Sequence, residues 1–169
     1  MAFSSWTREA VLAYTAAFLD GEGSVGIHLA SRPKGRGTQG YVLRVGLYNT
    51  DPRPLRAMHS IWGGSLQYCN PRKARRLPSW TWALSATKAA SFLADVVPFL
   101  IIKRDRALLA LEFQSNKSRQ PSLGQGGVQD KTSQAEYYRR MAALQPNHHI
   151  RAQAALKRWG RTKNAGILQ

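Results

Sequence analysis

Two acids stand at i and i+2 in Asp20-Gly21-Glu22-Gly23, alternating with glycines. Carboxylates and bare backbone carbonyls this close together are hard oxygen ligands, the kind that Mg²⁺ and similar divalent ions take. What precedes them raises the interest of the spacing. Thr7 suits an N-cap, Glu9 falls in the first turn, and Val11, Leu12, Tyr14, Thr15, Phe18 and Leu19 recur near i, i+3, i+4 and i+7. The segment from Thr7 is therefore an amphipathic helix that ends on the acids. A helix C-terminus is already electronegative, so Asp20 and Glu22 are unfavourable there unless a cation is bound. The plainer reading of the same residues is a solvated Gly-rich turn. Ala13, Ala16 and Ala17 leave another helix face narrow enough for a second backbone to approach closely.

Bulk properties set the frame for that hook. The chain has 169 residues and 43% hydrophobic content, which suits a globular core. The longest apolar stretch, Val96 to Ile102, is interrupted by Pro98 and is too short for a bilayer, so no membrane partner is expected. Phe3-Ser4-Ser5-Trp6 leads into a capped helix and not into an apolar leader, so no secretory signal is expected. Cys69 is the single cysteine, which excludes an intrachain disulfide and a Cys-based zinc cluster and favours a reducing, intracellular setting. Lys and Arg number 25 against 9 acids, a net charge of +16. No acid lies between Glu22 and Asp51, or between Asp51 and Asp95. A surface built from those windows suits a polyanion.

The elements that position the hook follow in order. Ser24–Ala30 alternates, with Val25, Ile27 and Leu29 on one face. A basic Gly/Pro loop from Ser31 to Gly40 leads to a second strand, Tyr41–Tyr48, with Leu43, Val45 and Leu47 inward and Arg44, Gly46 and Tyr48 outward. Asn49-Thr50-Asp51-Pro52 is a turn and helix start. The helix carries Leu55, Met58 and Ile61 or Trp62, and stops at Gly63-Gly64. Ser65–Asn70 is a third strand whose poor alternation leaves open whether Gln67 or Tyr68 faces outward. A second basic loop spans Pro71–Pro78, and Ser79–Ser85 is a fourth strand with Trp80, Trp82 and Leu84 inward. Helices are expected over Thr87–Val97 and Ile101–Gln114, then a loop over Ser115–Asp130 and a helix from Thr132 or Ser133 to about Leu144. The tail after Pro146 is basic, and His148-His149 there has no second ligand pair for zinc. The order is αββαββα followed by helices. This is an α+β layer in which an antiparallel sheet has helices on one face and a polar, basic saddle on the other.

Thr15-Ala16-Ala17-Phe18-Leu19-Asp20-Gly21-Glu22-Gly23 resembles the LAGLIDADG motif of homing endonucleases, with Thr15 and Ala17 departing from its usual Leu and Gly. Pro98-Phe99-Leu100-Ile101-Ile102-Lys103 resembles the same family's PFLxxK segment. The resemblance covers roughly residues 7–114 and implies the αββαββα topology. It implies that the chain forms one LAGLIDADG domain over 1–169, with a core at about 7–114, a loop at 115–130 and a basic helical region at 131–169. The motif occurs once, which implies the single-motif, homodimeric branch. Glu22 then takes the place of the metal-ligating acid, helped by the carbonyl of Gly21, with Mg²⁺ as cofactor and Mn²⁺ or Ca²⁺ as substitutes. Asn49 takes the place of a residue that organises active-site water, and Lys103 that of a lysine reaching the site. Arg53 is a weaker match to a second basic residue. One chain has too few ligands to cut two strands, so a twofold dimer across Ala13, Ala16, Ala17 and Asp20 would bring two Glu22 side chains together.

Double-stranded DNA is the implied partner. A twisted sheet in the major groove presents alternate side chains to base edges. His28, Arg32, Arg44, Asn70, Arg72, Thr81 and either Gln67 or Tyr68 suit that role, and Lys34, Arg36, Lys73, Arg75 and Arg76 suit phosphates. By resemblance, the expected activity is metal-dependent hydrolysis of both strands at a long pseudo-palindromic site, across the minor groove, leaving short 3′ overhangs. The expected setting is an intron-borne gene in an organelle (chloroplast or mitochondrion) or bacterial cytoplasm. The competing readings are a non-cleaving binder of intron RNA (a maturase) and a structural RNA-associated protein. Glu22 argues against both, because acids beside phosphate give a pure binder nothing.

Overall fold

A computed structural model describes residues 3, 5–30, 40–70, 77–119 and 131–145 of the chain. The order of elements is α1 (Arg8–Glu22), β1 (Gly23–Leu29), β2 (Tyr41–Asn49), α2 (Pro52–Trp62), β3 (Ser65–Cys69), β4 (Ser79–Ser85), α3 (Ala86–Val96), a 3₁₀ turn (Val97–Phe99), α4 (Arg104–Arg119) and α5 (Lys131–Ala143). The strands form one antiparallel sheet in the order β1-β2-β4-β3. The αββαββα arrangement expected from the sequence is present.

Alternation divides the sheet into two faces. Val25 pairs with Val45, Ile27 with Leu43, Val45 with Leu84 and Leu47 with Trp82. Cross-strand partners share a face, so these side chains form the core side, and all of them are buried. Leu55 and Met58 of α2, Phe92, Leu93 and Val96 of α3, and Leu109 and Phe113 of α4 close over them. The centre is aromatic. Phe92 meets Trp62 and Trp82 edge-on, with centroids 5.1 and 5.3 Å away, and Trp82 Nε1 donates to Gly63 O at 2.7 Å. Such pairs contribute about 0.5–1.5 kcal/mol each beyond their buried area. Trp62, not Ile61, completes the α2 stripe, since Ile61 stays half exposed.

Gly63-Gly64 stops α2 for a conformational reason: φ is +66° and +93°. At Gly64 a Cβ would also lie 2.6 Å from Ala83 O, so a side chain is excluded twice over.

Three expected boundaries move. Ile101, Ile102 and Lys103 are not helical: α4 begins at Arg104, and Ile101 and Ile102 are exposed. Their backbone N–H groups have another acceptor, described below. At its other end α4 runs on through Arg119, so the loop expected from Ser115 starts later. The α5 helix begins at Lys131, one residue before the expected caps. Residues 120–130 and the tail from Pro146, with His148 and His149, lie outside the described residues. No described helix is long and apolar enough to cross a membrane.

Candidate active site

The site is built where α1 ends. Thr7 caps the helix, its Oγ1 accepting from Ala10 N at 3.2 Å. Val11, Thr15, Ala16 and Leu19 face the core, and Ala13, Ala17, Gly21 and Glu22 face out. The chain then passes straight from Glu22 into β1 at Gly23. That glycine is required by crowding: a Cβ there would lie 2.4 Å from Leu19 Cδ1 and 2.8 Å from Leu47 Cδ2. At Gly21 the same Cβ would meet nothing within 4 Å. One glycine of the hook therefore seals the helix–strand junction, and the other leaves bare surface.

The two acids have different duties. Asp20 is bound within its own chain: Oδ2 accepts from Ile101 N at 2.8 Å and Ile102 N at 3.0 Å, and Oδ1 accepts from Lys103 N at 2.9 Å. The Lys103 Nζ returns a hydrogen bond to Asp20 O. Burial pushes the Asp20 pKa up, but the three N–H donors and the Lys103 charge outweigh it and hold the carboxyl below its ordinary value. Glu22 is exposed. It is thus the carboxylate of the hook that is open to a ligand from outside. Asp20 and Ala16 must be withdrawn from the expected dimer surface, since Asp20 is tied to residues 101–103 and Ala16 is fully buried in the core. Ala13 and Ala17 remain exposed.

Lys103 reaches the hook through its bond to Asp20 O. Burial and the nearby Arg106 lower its pKa, while Asp20 and Glu22 oppose them electrostatically, and the net direction is downward. Arg106, one turn further along α4, donates from Nη2 to Val25 O and is itself half-buried. Spacing of i and i+3 from Lys103 was the signal that could have found it. Lys103 thus reaches the end of α1 and Arg106 the backbone of β1.

Asn49 is placed differently. It pairs with Trp80 on the core-side register, and its Oδ1 accepts from Asp51 N at 2.8 Å. That is a turn-forming role. Asp51 caps α2 by accepting from Arg53 N at 2.9 Å. Its carboxylate also takes the Arg53 side chain, and Arg53 holds the Asp51 pKa down to about 2. Tyr48, one residue before Asn49, is the side chain that projects from the open face at this end.

On the open face, rows of partners run across the strands. Tyr48, Thr81 and Gln67 form one row. Ser24, Gly46, Ala83 and Ser65 form the next, and Gly26, Arg44 and Ser85 a third, with His28 beyond them. Register settles the third strand. Gln67 shares the open face with Thr81, whereas Tyr68 shares the core-side face with Trp80, ring centroids 5.3 Å apart. Tyr68 is therefore withdrawn from the expected base-reading set. Asn70 is exposed just past β3. Arg32, Lys34, Arg36, Arg72, Lys73, Arg75 and Arg76 lie outside the described residues.

No protein-family model matches the chain, and no curated protein matches it by search. Solved structures do. The homing endonuclease I-CvuI, in complex with the I-CreI target in 2 mM Mg with the DNA not cleaved, superposes with a TM-score of 0.63 at 17% identity. That match covers 82% of this chain and 84% of the other. The archaeal intron-encoded homing endonuclease I-Vdi141I, complexed with DNA, gives 0.56 at 15% identity, covering 85% of each chain. The LAGLIDADG homing endonuclease I-GzeII, in complex with its DNA target, gives 0.55 at 16% identity, over 79% of this chain but 43% of the other.

The chain has the LAGLIDADG homing-endonuclease fold.

Its helix–acid–strand junction delivers one carboxylate, Glu22, to the end of an open sheet. Among the described residues no three His, Cys, Asp or Glu side chains cluster as a ready metal cage. What one chain offers is the Glu22 carboxylate and the Gly21 carbonyl. That sparse, all-oxygen set fits a hard cation that completes its shell with phosphate oxygens and water, and does not fit zinc.

Proposed function

We propose that the protein is a site-specific double-strand DNA endonuclease that acts as a homodimer with a divalent metal, Mg²⁺ by preference. The observation that carries this reading is the split between the acids: Asp20 is sequestered by three backbone donors, and Glu22 is exposed beside Lys103 at the end of an open, polar sheet face. The DNA-bound state of I-CvuI and I-Vdi141I supports DNA as the partner of that face.

In this mechanism the open face lies in the major groove, and Arg44, Gln67 and Thr81 present polar groups to base edges. Phosphate contacts from the excess of Lys and Arg set register and make affinity salt-dependent. Glu22 and the Gly21 carbonyl would hold the metal, which would supply Lewis-acid polarisation of the scissile phosphate. The Lys103 ammonium, held by Asp20 O, faces the charge that develops on the phosphate and stabilises it. Burial and Arg106 weaken its hold on its proton, which suits it to hydrogen-bond a phosphate oxygen or the attacking water. One chain carries one free carboxylate, so two chains are needed for two strands. The exposed Ala13, Ala17 and Gly21 form the surface across which they meet. An intron-borne gene in an organelle or bacterial cytoplasm fits this activity.

The direct test is selection from a randomised duplex library for sequences cut in the presence of Mg²⁺. A single pseudo-palindromic consensus with short 3′ overhangs is expected, and cutting should stop with EDTA. A pool that is bound but never cut, with Mg²⁺ or Mn²⁺, would overturn the reading. The dimer has its own test. Ala17→Glu places like charges across the twofold axis without touching the core of either chain. Sedimentation should show a wild-type dimer and a monomeric variant whose own stability changes by less than about 0.5 kcal/mol. A wild-type monomer on a full-length cut site would remove the two-chain mechanism.

A further inference from the structure

Gly26 lies on the open face of β1, directly across from Arg44, yet it is buried while its neighbours on that face, Ser24 and His28, are exposed. What covers it is the His28 ring. A Cβ built at Gly26 would lie 2.9 Å from His28 Nε2, 3.5 Å from Cδ2 and 3.6 Å from Cε1. The imidazole therefore lies across the space that a side chain at position 26 would fill, which is the space beside Arg44.

Resting on the DNA-cleaving reading above, we propose that His28, seated over Gly26, and Arg44 form a single base-reading unit for one guanine in each half-site, and that Gly26 is the specificity determinant that permits it. The guanidinium of Arg44 is exposed and carries only donors. In the major groove its fork matches the O6 and N7 acceptors of guanine. A long side chain on an open strand has many rotamers, and each one lost in advance sharpens the choice of base. A flat ring over Gly26, the cross-strand partner of Arg44, takes up space into which that side chain could otherwise turn. The ring can lie there because it is uncharged: burial, Arg44 and Arg106 all push the His28 pKa below its ordinary value. Arg44 from β2 and Arg106 from α4 are the charged groups that act on it, and both are cations. Protonated, it would repel the residue it positions.

Gly26→Ala isolates the claim. The added methyl meets the far end of a flexible side chain, so the ring swings away at little cost to the fold. Binding selection from a randomised duplex library, with Ca²⁺ in place of Mg²⁺, should enrich one guanine per half-site for the wild type. Arg44→Ala should lose that preference. Gly26→Ala and His28→Ala should each lower it about tenfold at the same position and leave the other positions unchanged. The Gly26→Ala/His28→Ala double variant should be no worse than His28→Ala alone, because both changes remove one interaction. Should Gly26→Ala fail to fold, His28→Ala carries the same comparison. An Arg44-dependent guanine that is indifferent to Gly26→Ala and His28→Ala overturns the unit and leaves the endonuclease reading intact. A wild-type pool with no enriched sequence overturns both.

Discussion

Glu22→Gln is expected to abolish cleavage, by about 10³-fold or more, while DNA binding survives. The substitution keeps the shape of the side chain and removes only its charge. Glu22 is exposed at the end of α1 and takes no part in the core, so the fold should not register the change. Nor is there an understudy. The neighbouring acid, Asp20, already accepts three backbone N–H groups and cannot turn toward a phosphate without releasing residues 101–103. A factor of 10³ corresponds to about 4 kcal/mol of lost transition-state stabilisation. Cleavage of a selected target duplex with Mg²⁺, measured alongside a binding titration in Ca²⁺, separates the two effects. Cutting by the variant at near wild-type rate would remove Glu22 from the chemistry.

Asp20→Ala should have the second largest effect, and on two observables together. It deletes the acceptor of three N–H groups and the charge beside Lys103. Charge-assisted hydrogen bonds contribute about 1.5–3 kcal/mol net, but water can replace part of this at a half-exposed site. A loss of about 1–3 kcal/mol is expected, or roughly 2–12 °C in Tm for a chain of this size. Cleavage should fall as well, since Lys103 sits in the released segment. The pH dependence identifies the cause. The folded pKa of Asp20 lies below the ordinary 3.8, so its contribution is fully present above that value and is lost as pH falls through the folded pKa. Wild type and Asp20→Ala should therefore differ in stability at neutral pH and converge in strong acid. A gap that persists unchanged into acid would mean that the carboxylate charge is not what holds the segment.

Much of this arrangement was legible because it is local. The Thr7 cap, the helix-to-strand hook and the alternation of β1, β2 and β4 all follow from neighbours within a few residues, and the register agrees with each. The misreadings came from partners far along the chain. Ile101 and Ile102 look like the start of an apolar helix face. Their N–H groups instead go to a carboxylate 81 and 82 positions earlier, and no local pattern signals that. In sequence the alanines of α1 suggest one face, yet Ala13, Ala17 and Gly21 follow i+4 spacing and Ala16 belongs with Leu12 and Leu19 on the other. The sequence held that distinction, and composition hid it. Gln67 against Tyr68 depended on which β4 residue lay opposite, which only pairing decides. The turn that Asn49 forms is local, its Oδ1 accepting from Asp51 N two residues on.

The unequal flanks of the sheet have a consequence for behaviour in concentrated solution. Along β1, the helices α4 and α5 pack against the outermost strand, and Arg106 occupies the Val25 carbonyl. The opposite margin is β3, only five residues long, with Ser65, Gln67 and Cys69 facing the open side. A margin that brief offers few amides to a stray strand, which keeps copies of the molecule from zipping together side by side. The sheet can thus leave its polar open face uncovered, as the proposed function requires, without becoming a seed for the protein's own precipitation.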